Sequence, residues 1–307
     1  MYCLQVQRLT CMNTYKVIKI EKLKLKCSSP LAGMYKLSPC VWKKNGIYQM
    51  LVRAVNTSED ATQKVARIYS GTSRNGISFK MSDGPVIAPG TNSYDKDGCE
   101  DPTVVCLNNK YLVYYTGWNQ TKMKGQLLLA KGNDLGSLSL VNVAIPSKKP
   151  YINPKEATVT QLKNGKWLLL FEYANQNRSK LGKATSTKAE GPWKIKGEFL
   201  TTIKDSWDSY HLSPGQVLTD HTGETVMFYN GSDPDAHWRI GWVKLDDKGK
   251  ITNRSKKPLI TPSKGKPGET DIAFAASAIL VKNQIWLYYT MADNTTFRAI
   301  IEVVGDC

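Results

Sequence analysis

The sequence predicts an all-β fold, a five-bladed β-propeller with four-stranded antiparallel blades. Three observations carry this. A strand rich in aromatic and aliphatic residues recurs five times, starting at Ile47, Tyr111, Trp167, Thr225 and Ile285, with spacings of 64, 56, 58 and 60 residues. Each copy follows an apolar strand and a turn such as "KKNG", "NNK" or "DHTGE", and each precedes a third strand. No helical periodicity of useful length is present. A unit of four short strands per ~60 residues, returning five times, is the grammar of propeller blades. A β-sandwich has turns at similar spacing but does not explain the repetition.

The elements follow in order. Residues 1–34 form an N-terminal extension with an edge or closing strand. In it "KVIKIEKLKLK", Lys16 to Lys26, alternates lysine with aliphatics as a solvated edge strand does. Met12 is an alternative start. Residues 35–307 form the propeller, read as the catalytic domain. Its inner strands are "KLSPCVW", "EDPTVVCL", "KEATVTQL", "LSPGQVL" and "AASAILV". Third strands follow at "ARIYSGTS", "GQLLLAKG", "SKLGKATS", "RIGWVKLD" and "FRAIIEV". Weaker fourth strands are "ISFKM", "LSLVN" and "WKIKGEFL".

The bulk properties exclude several classes. No apolar stretch reaches the ~20 residues that cross a bilayer, and the first residues lack a signal-peptide core, so the expectation is a cytoplasmic protein with no membrane partner. The seven cysteines, Cys3, Cys11, Cys27, Cys40, Cys99, Cys106 and Cys307, are scattered without a CxxC pair. They are read as reduced, mostly buried thiols. The net charge of +16 comes from dispersed lysines rather than an arginine cluster, which argues for a basic surface and against nucleic acid. The histidines, His211, His221 and His237, have no ligand spacing, so no metal and no cofactor is expected.

The chemistry concentrates at one end of the inner strands. Their N-terminal ends carry Ser38, Glu100 with Asp101, Lys155 with Glu156, His211 with Ser213, and Ser277. In a propeller these meet at one mouth of the channel, a funnel lined by polar groups. Glycosidic cleavage needs one carboxylic acid for the leaving oxygen and a second carboxylate as nucleophile or base. Glu100, Asp101, Glu156 and Glu172 are the candidates. Glu172 interrupts "WLLLFEY", so it faces the cavity or a cation such as Lys155 or Arg53. Strict alternation lets only one of Glu100 and Asp101 point inward, and pattern alone does not choose. Arg53 is similarly out of place after "MLV" and suits sugar hydroxyls or a carboxylate. Trp118, Tyr115, Tyr173 and Trp238 stand at loop ends where a ring face can stack on a sugar. A carbohydrate is the expected ligand.

These residues carry a resemblance. "GCEDPTVV…YLVYYTGW" is similar to the Gly-x-Glu-Asp-Pro-Arg stretch of family 130 glycoside hydrolases, the β-mannoside phosphorylases and β-mannosidases. "YQMLVRA", "SRNGISFKMSDGPVIAP", "PKEATVTQLKNGKWLLLFEY", "VMFYNGSD" and "LYYTMADN" follow in the family's order, over roughly residues 35 to 304. The resemblance implies a five-bladed propeller. It implies Asp101 as general acid, Arg53, Lys155 and Asp293 at or near the sugar site, and Ser38 as a sugar-binding polar residue. Substrate contacts are likewise expected from Glu100, Trp118, His211 and Asn230.

The departures decide the expected reaction. Thr103 stands where the family motif has arginine. Glu172 replaces a phosphate-binding arginine, Asn230 a histidine, and His211 a lysine. A carboxylate repels phosphate and suits water activation. The expectation is therefore an inverting hydrolase with Asp101 as acid and Glu172 or Glu156 as base. The alternatives are a phosphate-dependent phosphorylase and a non-catalytic carbohydrate-binding propeller. A relative of the family 43, 32 or 68 propellers would make Glu156 the acid, but those place an aspartate on the first inner strand and "YKLSPCVW" has none.

Overall fold

The computed structural model describes residues 12–306 apart from 59, 61, 62, 92, 93 and 263–270. Cys3, Cys11 and Cys307 and the stretch before Met12 lie outside the described residues. Five sheets follow in chain order, and no α-helix occurs among the described residues. Blade 1 runs from its inner strand Met34–Lys44 through Ile47–Asn56 and Ala66–Ser73 to Ser78–Ile87. Blade 2 has Gly98–Leu107, Lys110–Asn119, Lys124–Gly132 and Ser139–Ile145. Blade 3 has Ile152–Gln161, Trp167–Asn175, Arg178–Ser186 and Lys194–Leu200. Blade 4 has His211–Thr219, Thr225–Ser232, Trp238–Leu245 and Ile251–Arg254.

Blade 5 is built from both ends of the described chain. Ala273–Val281, Gln284–Met291 and Thr295–Asp306 come from the C-terminal side, and Met12–Lys22 pairs antiparallel as the outer strand. Lys24–Lys26 then adds in parallel to the outer edge of blade 1. One stretch of chain thus joins the last blade to the first. The inner strands contact one another in a closed ring, blade 1 to 2 to 3 to 4 to 5 and back to 1.

The core explains why the second strands read as continuous apolar runs. Five clusters of buried side chains fill the spaces between neighbouring blades. A central strand packs on both faces, so strands such as Trp167–Tyr173 are buried along their length. Tyr115 and Tyr173, read above as loop-end aromatics, belong to this packing. Tyr115 is 1% exposed and donates to Asp95 Oδ2 at 2.7 Å. Tyr173 packs edge-on against Tyr151 at 4.9 Å.

Every inner strand carries an extra residue against its partner, and that of blade 3 carries a second at Ile152/Lys155. Leu37 to Cys40 lies opposite Arg53 to Leu51, and the same slip falls at Glu100/Thr103, Lys155/Thr158, Pro214/Val217 and Ala275/Ser277. In blades 1 to 3 the bulge holds a non-glycine residue in the left-handed region: Ser38 at φ 50°, Asp101 at 50° and Glu156 at 47°. Such a conformation costs about 1–2 kcal/mol for a residue with a Cβ. Bulges re-aim a side chain out of the strict alternation of a strand.

Candidate active site

The three bulge residues belong to one polar cluster. Ser38 Oγ donates to Asp101 Oδ1 at 2.9 Å. Arg53, on the second strand of blade 1, spans two carboxylates: Nη1 to Asp101 Oδ1 at 3.1 Å and Nη2 to Glu100 Oε1 at 3.2 Å. The alternation rule therefore fails here. Glu100 and Asp101 are adjacent, yet both reach one guanidinium, because the bulge turns Asp101 back. Arg53, which interrupts the otherwise apolar second strand of blade 1, thus serves as partner to both carboxylates.

Blade 3 contributes the second half. Lys155 and Glu172 are paired across the ladder, with Nζ and Oε1 3.3 Å apart. Glu172 is 2% exposed and also accepts a hydrogen bond from Ser179 Oγ at 2.7 Å. Ser179 N–H in turn donates to His211 Nδ1 at 2.9 Å. A cavity of about 200 Å³ opens over this group, with Ser38, Arg53, Lys155, Glu156 and Glu172 in its lining. Trp238, Phe274 and Thr290 close it from blades 4 and 5, and Asp293 stands exposed at its rim. Asp101 is bonded to two lining residues and is 3% exposed.

The electrostatics divide the carboxyls. Burial disfavours charge on Asp101, but the cations of Arg53 and Lys155 outweigh it and hold its pKa below the ordinary range. Burial raises Glu156 well above the usual carboxylate value, the Asp101 charge adds to this, and Lys155 offsets only part. Glu100 is also raised by burial, against the pull of Arg53. The Lys155 ammonium is stabilised first by Glu172. His211 is lowered by burial, which keeps it neutral and suits its Nδ1 as an acceptor.

Two expected contacts, Asn230 and Trp118, and the channel-mouth residue Ser277 fall elsewhere. Asn230 is fully buried, and its amide ties blade 4 to blade 5: Nδ2 donates to Ala275 O at 3.1 Å while Oδ1 accepts from Ala275 N–H at 2.6 Å. A buried amide satisfied by backbone is not offered to a sugar. Trp118 donates to Gln120 Oε1 at 2.8 Å and is not in the cavity lining. Ser277 ties blade 5 to blade 1 through Pro39 O and Val41 N. His211 is held beside the cavity, with its ring 5.6 Å from that of Trp238 and nearly parallel to it. Sequence reasoning missed Ser179 and Thr290. Thr290 accepts from Ser38 N–H at 3.1 Å. Neither serine nor threonine is unusual in a strand, so nothing in the pattern marks them.

His237 gains neighbours that its spacing does not advertise. Ligand atoms of Asp233, Asp235 and His237 lie within 4.8 Å of one another. The Asp233 oxygens are already engaged by two backbone N–H groups and by the His237 ring at 2.8 Å.

The profile of glycoside hydrolase family 130, described as β-1,4-mannooligosaccharide phosphorylase, matches residues 11–304. The chain belongs to this family. Its members process mannosides, and so the protein is an enzyme of mannoside metabolism. The 1,2-β-oligomannan phosphorylase of Thermoanaerobacter sp. (strain X514) is 24% identical over 269 residues, 84% of this chain and 87% of that protein. The fold matches the β-1,2-mannobiose phosphorylase of Listeria innocua, solved with β-1,2-mannobiose, at TM-score 0.74 and 17% identity over 93% of this chain and 90% of that one. A family 130 structure reported with glycoside hydrolases that target β-1,2-mannosidic linkages in Candida mannan matches at TM-score 0.72 and 20% identity, over 87% and 84%.

Proposed function

We propose that this family 130 enzyme cleaves β-linked mannosides in one inverting displacement, with inorganic phosphate as the acceptor. The family profile and the curated relatives, all phosphorylases by name, support this choice over the hydrolase that the sequence alone favours. In the displacement the bond from C1 to the glycosidic oxygen breaks. That oxygen takes a proton from the enzyme, and a phosphate oxygen attacks C1 from the opposite face. The products are α-mannose 1-phosphate and the shortened saccharide.

The observation that carries the reading is that two carboxyls, Asp101 and Glu156, gather beside the cations of Arg53 and Lys155 at one cavity. Burial pushes Glu156 toward its protonated form, while the cations of Arg53 and Lys155 hold Asp101 toward its ionised form. Asp101 is the donor that the family resemblance implies, and its Oδ2, which no hydrogen bond reaches among the described residues, is the oxygen that would carry the proton. Lys155 supports the anion. Its side chain is 44% exposed and Glu172 occupies one of its three donors.

Hydrolysis is the second reading, favoured by one observation. Glu172 places a carboxylate in the cavity lining, where it repels phosphate and accepts a proton from water. The test is turnover of β-1,2- and β-1,4-mannobiose with and without phosphate. Phosphate-dependent formation of mannose 1-phosphate is expected. Equal release of mannose without phosphate selects hydrolysis. Binding with no turnover under either condition overturns both and leaves a carbohydrate-binding propeller.

A further inference from the structure

Ser179 uses both of its donors on residues at the cavity. Its Oγ–H donates to Glu172 Oε1 at 2.7 Å, and its backbone N–H donates to His211 Nδ1 at 2.9 Å. Lys155 Nζ lies 3.3 Å from the same Glu172 oxygen. Oε1 is therefore bound from two sides. Among the described residues no hydrogen bond reaches Oε2, although Glu172 lines the cavity.

The His211 end is fixed as tightly. An imidazole nitrogen that accepts a backbone N–H carries no proton, so the ring is in its Nε2–H form. Tyr210 meets the ring edge-on at 4.6 Å and Trp238 covers one face at 5.6 Å. The start of the third strand of blade 3 is thereby held against blade 4, and with it the Ser179 hydroxyl.

We propose that Ser179 is a positioning residue, which orients Glu172 so that Oε2 is the acceptor atom offered to the reacting molecule. This rests on the reading of the cavity as a mannoside-cleaving site. It holds for either acceptor, because a water or a protonated phosphate oxygen would each donate to Oε2. A carboxylate that swings by an ångström loses aligned contacts and rate rather than affinity.

The experiment compares Ser179→Ala, Ser179→Thr, Glu172→Gln and the Ser179→Ala/Glu172→Gln double variant on mannobiose. Ser179→Ala keeps the N–H to His211 and removes only the hydroxyl. The expected result is a kcat lowered roughly 10- to 100-fold with KM within about twofold. Ser179→Thr restores most of the rate, and Ser179→Ala has no further effect in the Glu172→Gln background. Unchanged kcat in Ser179→Ala, or equal losses in both backgrounds, overturns the proposal. Crystal structures supply a readout independent of turnover. Glu172 is expected in one conformer in the unsubstituted protein and in several in Ser179→Ala, and a single unchanged conformer there overturns the proposal too. Absence of any turnover by the unsubstituted protein instead overturns the functional reading.

Discussion

Ser38 and Asp101 sit at the same point of adjacent inner strands, both at φ 50°, and are joined by a hydrogen bond of 2.9 Å. Two strained residues holding each other is the arrangement expected where surrounding structure fixes a functional geometry. Replacing Ser38 separates strain from bonding. Ser38→Gly removes the hydroxyl and relieves about 1 kcal/mol of left-handed strain, whereas Ser38→Val keeps a Cβ there and adds branching. The glycine variant is expected to melt at or above the temperature of the unsubstituted protein, and the valine variant several degrees lower, by calorimetry. Both lose activity, because Asp101 loses a donor.

Arg53 is the cation on which Glu100 and Asp101 depend. Removing it leaves two carboxylates in a largely buried site without their shared partner. Breaking a buried pair costs roughly 3–5 kcal/mol, and the lower end applies because a quarter of the Arg53 side chain remains exposed. Arg53→Met is expected to lower stability by about 3 kcal/mol in denaturant unfolding at neutral pH. Acid should narrow the gap between the two proteins, since protonating both carboxylates removes the penalty. A constant difference from pH 7 down to pH 4 contradicts this account.

Glu156 predicts the basic limb of the activity profile. Its pKa is raised, so the protonated form persists above the usual carboxylate range and is lost as pH climbs through the raised value. The folded state thus binds a proton that the unfolded state has released above its ordinary pKa. The contribution of this group to stability therefore declines across the window between the two values. Activity is expected to fall on the alkaline side with this group. Glu156→Gln cannot lose a proton, so that limb should disappear while the rate at the optimum drops roughly 100-fold or more. A Glu156→Gln profile with the same alkaline limb assigns the limb elsewhere.

The repeat was open to reading because its physics is local. A strand packed on both faces must be apolar along its length, and five such runs at even spacing leave few architectures. The bulges were not open to reading. Ser38, Asp101 and Glu156 look like ordinary strand residues in the chain, and only pairing against Arg53, Thr116 and Glu172 shows the extra residue. The alternation rule consequently separated Glu100 from Asp101 when the fold brings them together. Asn230 misled for the opposite reason. Its place in a family-like turn suggested sugar, while its partner, Ala275, lies on the next blade and is invisible from local sequence.

Asn230→Ala should accordingly behave as a structural variant. It leaves the Ala275 N–H and carbonyl without their side-chain partner at a buried seam, which costs roughly 1–3 kcal/mol per unsatisfied group. The expected outcome is a lower melting temperature with KM for mannobiose unchanged at a temperature where the variant is folded. A raised KM without loss of stability would return Asn230 to the sugar site.

Trp238 is the aromatic whose placement agrees with a stacking role. It lines the cavity, lies nearly parallel to His211 at 5.6 Å, and meets Phe274 edge-on at 5.1 Å. It is only partly buried, and a pyranoside in the cavity would meet it there. An aromatic contact of this kind is worth about 0.5–1.5 kcal/mol beyond area burial. Trp238→Ala is expected to raise KM for mannobiose about 10-fold, with a smaller change in kcat, while Trp238→Tyr recovers most of the affinity. His211 provides the control. In Trp238→Ala its ring keeps the Ser179 N–H, so the loss should be one of binding and not of Glu172 orientation. A fall in kcat that matches Ser179→Ala, with KM unchanged, would instead place Trp238 among the groups that hold the base.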